Sequence, residues 1–214
     1  MAGSTLTLNK GYKLQDINIT TAVNALANTG AITITDPSAG LTSVNITCTA
    51  TAAANGACLL VKGSGFHTLK NVKVAFNDGI AGVIGIKGND ANVALNIVGG
   101  SVKPTTNTAG VTGILSEGVL TAAGVTVDMS AGGHTKASTG IKFNGSGSSV
   151  TGSNITVSND PAAIGVKANG SNSVVKGNTF TAAGKGIGIN GITNLPGFSL
   201  TDNTFVGNFT VKAL

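Results

Sequence analysis

Two short patterns alternate along this chain. The first is an apolar-x-apolar triplet followed by one residue and a glycine: LLVKG at 59 to 63, IGIKG at 84 to 88, ILSEG at 114 to 118, IKFNG at 141 to 145, VKANG at 166 to 170 and IGING at 187 to 191. Successive starts lie 25, 30, 27, 25 and 21 residues apart, and ITITD at 32 to 36 is an earlier relative. The second fills the gaps: Asn45-Ile-Thr-Cys, Asn71-Val-Lys-Val, Gly124-Val-Thr-Val, Asn154-Ile-Thr-Val, Asn178-Thr-Phe-Thr and Asn203-Thr-Phe-Val, with Gly100-Ser-Val-Lys a degenerate member. Each run is too short for a helix and alternates like a strand with one buried face. Hairpins would place turns every ~8 to 12 residues. A longer period brings each strand back onto its copy one coil earlier, which is the signature of a stacked coil. The predicted fold is all-β, a single-stranded parallel β-helix, right-handed by the general preference of parallel crossovers. With rungs about 4.8 Å apart, about seven coils make a rod near ~35 Å long. The whole of 1–214 is read as one domain, with 1–30 an N-terminal arm and cap and 31–214 the coils.

Asn-Ile-Thr recurs at Asn18, Asn45 and Asn154. It matches a glycosylation acceptor, but in a coil it reads more simply as a left-handed corner, an inward Ile and an outward Thr. After Asn178 and Asn203 the apolar residue falls one place later, so a bulge or an offset corner is expected there. Phe180 and Phe205, 25 apart, should stack inside the C-terminal half. Rod ends need covers. The stretch 20–30 is expected to supply one as a short helix, capped by Thr20 or Thr21, burying Val23 and Leu26 and ending at Gly30. On the first repeated strand, the motif alignment sends Cys58, Leu60 and Lys62 outward, then Val83, Gly85 and Lys87, then Gly113, Leu115 and Glu117. A polar column Thr35, Lys62, Lys87, Glu117, Asn144, Asn169, Asn190 would bring Lys87 to Glu117. Leu60 and Leu115, with Cys58 and Val83, form a candidate apolar interface to be covered by the chain itself or by a subunit.

Composition narrows the partners. Gly is 32 of 214 residues, Trp is absent and aromatics are 4%, so the core must be built from small aliphatics. The +5 net charge comes from 13 scattered Lys against eight acids. With no Arg to fork onto phosphate and one Tyr for stacking, nucleic-acid binding is not expected. No 18-residue apolar run or signal-like h-region is present, so neither a membrane span nor an export signal is expected. Cys48 and Cys58 read either as a disulfide or as two small buried thiols.

The stretch TAVNALANTGAITITDPSAG, residues 21 to 40, resembles the helix-strand-turn that opens pectate-lyase-like β-helix proteins, bacteriophage tailspikes among them. GNTF at 177 to 180 and DNTF at 202 to 205 are similar to the coils of that superfamily. The resemblance covers roughly 20 to 210 and implies a fold shared by polysaccharide lyases, glycoside hydrolases, phage spikes and non-catalytic surface proteins.

Catalytic inventory is thin. A glycosidase needs two carboxylates ~5 to 9.5 Å apart; Asp78, Asp128 and Asp160 are the weak candidates, with solvated turn residues the plainer reading. The lyase pairing of clustered acids with Arg or Lys lacks its acidic cluster and any Arg. His67 and His134 are isolated and expected in exposed loops, and no cofactor or metal site is expected. A regular Thr column of the ice-binding type is interrupted at Lys73. The expected function is therefore that of a non-enzymatic structural protein: a virion component such as a phage spike, fibre or capsid-decoration protein. It would be a homotrimer or bind other virion proteins, with cell-surface polysaccharide as a ligand held by loops such as 101–112 and 129–139. The alternatives are a polysaccharide depolymerase and a secreted or cell-surface adhesin.

Overall fold

The computed structural model describes residues 5–22, 25–49, 53–77, 79–106, 109–133, 135–182, 186–191 and 195–213. Strands recur in triplets: β1 Leu6–Leu8, β2 Lys13–Gln15 and β3 Asn18–Thr21, then β4 Gly30–Ile34, β5 Gly40–Thr42 and β6 Asn45–Cys48. The same cycle continues to β22 Ile187–Asn190, β23 Ser199–Thr201, β24 Thr204–Gly207 and a final β25 Val211–Ala213. Each strand pairs in parallel with its counterpart one coil away, which builds three walls of nine, eight and eight strands. This is the all-β parallel β-helix expected. Eight stacked strands make seven coil-to-coil steps, or a rod of about 34 Å at ~4.8 Å each.

The core is a set of inward columns. In the first wall Ile32, Leu59, Ile86, Ile114, Ile141, Val166 and Ile189 stand in register, 27, 27, 28, 27, 25 and 23 residues apart, and all are fully buried. The period is therefore more even than the motif starts suggest. IGIKG and IGING sit two residues out of that alignment, because Ile86 and Ile189 carry the core, whereas Ile84 joins Ala57, Leu60 and Leu115 in a separate outer cluster.

The cause is a local loss of alternation. A Cβ on Gly85 would lie 2.7 Å from Val102 Cγ1 and 2.9 Å from Phe76 Cε1, so Gly85 faces the core beside Ile86. Gly113, Gly140 and Gly165 do the same in later coils. Two successive inward residues are what a bulge produces, and they reverse every outward assignment before them. The outward expectation for Cys58, Gly85 and Gly113 is thus corrected: Cys58, like Val83, belongs to the main core.

Between the second and third walls each coil turns on a left-handed residue, Asp16, Ser43, Asn71, Gly99, Gly124, Gly152, Gly177 and Asp202, with φ from 51° to 65°, and Gly100 follows Gly99 with φ 84°. The repeated corner exists, but it falls two residues before Asn45 and Asn154, whose exposed side chains begin third-wall strands. Asn71 is itself a corner; Lys73 is the residue opposite Asn45. Inward Ile and outward Thr are as expected, with Ile46 and Ile155 buried and Thr47 and Thr156 half-buried. Asn45 Nδ2 donates to Asn18 Oδ1 at 2.6 Å, a ladder of the kind stacked amides form.

The C-terminal offset needs no bulge. Phe180 pairs with Ile155, so Asn178 stands opposite Ser153 and turns inward. There it continues a buried polar ladder: Val125 N donates to Ser153 Oγ, Ser153 N to Asn178 Oδ1 and Asn178 N to Asn203 Oδ1, at 2.9–3.1 Å. Phe180 and Phe205 stack as expected, with ring centroids 5.1 Å apart.

The N-terminal helix is not formed. Asn18–Thr21 is a strand in register with Asn45–Cys48, and Leu26 is 70% exposed rather than buried; Val23 lies outside the described residues. A helix of this length does not repay its nucleation, whereas Ile19-Thr-Thr is β-branched and gains a ready template in Ile46 and its neighbours. Coils accordingly begin at Leu6, inside the stretch read as an arm.

Candidate functional site

The acidic residues show what the surface can do chemically. Asp128 Oδ1 accepts from Ser130 N at 3.0 Å and Ser130 Oγ at 2.7 Å. Asp160 Oδ1 accepts from Ala162 N at 2.8 Å. Asp36 and Asp90 bind the backbone N–H two residues on in the same way. Four carboxylates therefore fasten turns by one local mechanism. Ser38 holds the Asp36 carboxyl below its usual value, first through its hydroxyl and then through its N–H. Asp128 stands opposite Thr156, so Asp160 lies four residues further along the next coil, and each is committed to its own turn. Asp78 lies outside the described residues. Among the described residues no group of three or more His, Cys, Asp or Glu is placed to hold a metal.

His67 is not in an exposed loop. It lies in the strand Gly65–Lys70, is 1% exposed, and stands opposite Leu95 in the core. Its Nε2 is 2.7 Å from the Gly63 carbonyl, and its Nδ1 is buried without a partner. This is a core histidine, with no partner that would make it a general base. His134 lies outside the described residues.

The outer face of the first wall carries the apolar strip. Its column reads Thr33, Leu60, Lys87, Leu115, Lys142, Lys167, Asn190, because Lys87 pairs in register with Leu60 on one side and Leu115 on the other. The polar column is instead Thr35, Lys62, Asn89, Glu117, Asn144, Asn169, in which Asn144 donates to Glu117 and Asn169 to Asn144. Leu60 and Leu115 are 3% and 8% exposed in the single chain. Part of that cover is Lys87, whose Nζ reaches Asn28 Oδ1 at 3.1 Å. Asn28 belongs to the coil beyond Leu60, so the aliphatic stem crosses Leu60 and only the ammonium meets a polar group.

Lys87 carries a pH signature. Burial pushes its amine below the usual lysine value, and the Glu117 charge opposes that in part. The unfolded chain, with its lysine near ~10.4, binds the proton that the folded chain gives up first. Stability therefore rises as pH climbs from the folded value toward ~10.4. Lys87→Met is expected to abolish that alkaline rise and to add about 1 kcal/mol at neutral pH, since a buried charge is removed and exposed Asn28 returns to water. Urea midpoints of both proteins, taken near neutrality and near pH ~10, check this; a less stable Lys87→Met at neutral pH contradicts it.

Clefts open on all three walls of the N-terminal half. One, of about 490 Å³ on the first wall, is lined by Leu26, Asn28, Thr33, Leu60, Lys62 and Asn89 among others. Another, of about 410 Å³ on the second wall, is lined by Lys13, Gln15, Ser38, Thr42, Thr68 and Lys70 among others. Among the described residues, the first of the loops picked out by length, 101–112, places Ser101 and Lys103 at a third-wall cleft. Residues 101–104 of the first such loop are a third-wall strand, and 131–133 of the second form a 3-10 turn.

Family models, curated proteins and solved structures yield no match to this chain.

Cys48 and Cys58 form a disulfide, Cα atoms 5.8 Å apart, which ties the third wall to the next first-wall strand. No helix among the described residues is long and apolar enough to cross a membrane. The burial of His67 had a signal in the sequence: in GFHTLK it keeps two-residue phase with Leu69, which also faces inward.

Proposed function

We propose that this chain is a non-catalytic structural protein, a β-helical component of a virion surface such as a spike, fibre or capsid-decoration protein. The observation that carries the reading is the use of the acids. Asp36, Asp90, Asp128 and Asp160 each fasten a turn through Oδ1, which gives these carboxylates a structural role. The disulfide suits a surface exposed to oxidising conditions, virion surfaces included. The resemblance of residues 21–40 to the pectate-lyase-like superfamily, which includes phage tailspikes, bears on the fold through strand β4 and the Asp36–Ser38 turn after it, and the virion assignment is an extension from that fold. A homotrimer is the assembly proposed.

The test has two parts. Light scattering on the full chain should give about three times the 20.9 kDa protomer mass. Incubation with acidic and neutral polysaccharides should release no reducing ends or unsaturated sugars above buffer. Release that disappears in Asp128→Asn or Asp160→Asn would establish a depolymerase and sink the structural reading.

A further inference from the structure

One column inside the first wall is built almost without side chains. By the strand register it runs Ala31, Cys58, Gly85, Gly113, Gly140 and Gly165, and of these Cys58 alone has an atom beyond Cβ. Third-wall side chains fill the space beside the glycines. An added Cβ would lie 2.9 Å from Phe76 Cε1 at Gly85, 3.1 Å from Met129 Sδ at Gly113 and 2.9 Å from Phe180 Cδ1 at Gly165. Cys48 stands opposite Phe76, one coil earlier. Where the next coil sets the Phe76 ring against Gly85, this one has the Cys48–Cys58 bond.

The connection that the bond spans has little to replace it. Residues 53–57, which lead into the Cys58 strand, are Ala-Ala-Asn-Gly-Ala. Val83 and Val111 are buried in the two following coils at the level where the register puts Gly56. The first coil is held less firmly still. Among the described residues β1, β2 and β3 pair only with β4, β5 and β6, and Leu6 and Ile17 are 39% and 38% exposed. In a stack whose coils touch only their neighbours, whatever holds the second coil to the third also holds the first.

We infer that the Cys48–Cys58 disulfide is a redox-operated clasp that decides whether the two N-terminal coils are folded, while the C-terminal coils hold in either state. Closing it takes two electrons and two protons from the Cys48 and Cys58 thiols. Glutathione disulfide accepts them through a mixed disulfide and leaves as two thiols, and a dithiol reverses the exchange. The closed clasp protects itself: the cysteines are 4% and 3% exposed, so an attacking thiolate reaches the sulfurs only after the coil opens. Once reduced, they are two small apolar side chains. They then lack both the ring that fills this level in the next coil and the cross-link that restricts the unfolded loop.

The inference rests on the virion-surface reading only for its use: a chain made among reducing host thiols would carry open N-terminal coils and close them on release into oxidising surroundings. The experiment is refolding of the full chain from urea with dithiothreitol or with glutathione disulfide, followed by hydrogen exchange read by mass spectrometry. In the reduced protein, peptides within 5–48 should exchange about a hundredfold faster than in the oxidised one, and peptides within 139–182 should change by less than about threefold. Glutathione disulfide added to the reduced protein should restore slow exchange. Cys48→Ala with Cys58→Ala should exchange fast in both buffers. Cys48→Phe with Cys58→Gly, which copies the Phe76–Gly85 pair, should exchange slowly in both; should that pair not fold, the alanine pair decides. The inference is overturned if the oxidised protein carries two free thiols, if reduction or the alanine pair leaves 5–48 protected, or if reduction speeds exchange in the two regions alike. A trimer indifferent to reductant would lose the clasp and keep the structural role; a glycan-cleaving chain whose N-terminal coils respond to reductant would lose that role and keep the clasp.

Discussion

Gly165→Val is expected to cost about 4 kcal/mol and to loosen the C-terminal coils first, while Gly177→Ala costs about 1 kcal/mol. The two glycines stand in different kinds of column. Gly177 occupies the left-handed corner, φ 65°, with nothing within 4 Å of an added Cβ. Its role is conformational, and other coils fill the same place with Ser43, Asn71 and Asp202. At Gly165 the constraint is steric. A Cβ there would lie 2.5 Å from the Gly188 carbonyl oxygen and 2.9 Å from Phe180 Cδ1. The oxygen belongs to the neighbouring rung, whose spacing is fixed by the parallel ladder between Ile164–Ala168 and β22. A side chain can be pushed aside, but a rung cannot move without breaking that ladder. Urea unfolding followed by circular dichroism, with hydrogen exchange to locate the loosened coils, measures both effects. Equal losses at the two glycines would show that the inner column is not the tighter one.

Those glycines also mark the limit of what the sequence made legible. Period and strand alternation are local, so the parallel β-helix, the inward Ile46 and Ile155 and the Phe180–Phe205 stack could all be read from spacing. Register at a corner is set by how rungs meet, and no single coil states it. Glycine supplied both the left-handed turn after the second wall and the bare inner column of the first, and one letter cannot tell the two apart. That ambiguity shifted IGIKG by two residues and sent Cys58 and Gly85 outward on paper. It also put Lys87 and Glu117 in one column, when the chain aligns Lys87 with Leu60 and Leu115. Two of the weak catalytic candidates were legible as turn residues, since Asp128 and Asp160 each bind two residues ahead. The second-wall cleft was not legible, because Lys13, Ser38 and Lys70 come together only when three coils are stacked.

Phe180→Ala should cost about 4 kcal/mol, near the upper end for a buried ring, and Phe205→Ala roughly half as much. Phe180 is fully buried and stacks at 13° on Phe205, which is itself half-buried and meets Phe209 edge-on at 5.6 Å. The cost of truncation depends on whether the surroundings can collapse into the space. Here they cannot do so readily. Gly165 faces the ring across the interior with no side chain to move inward, and the rungs above and below are held at ladder spacing. The same void gives a coupling prediction. Gly165→Ala should be less damaging in a Phe180→Leu background, by about 1 kcal/mol, because one of its two collisions has been removed while that with the Gly188 oxygen persists. A double-mutant cycle in urea reads that difference. Strict additivity would mean that the Phe180 ring does not set the limit on Gly165, leaving the neighbouring rung as the whole constraint.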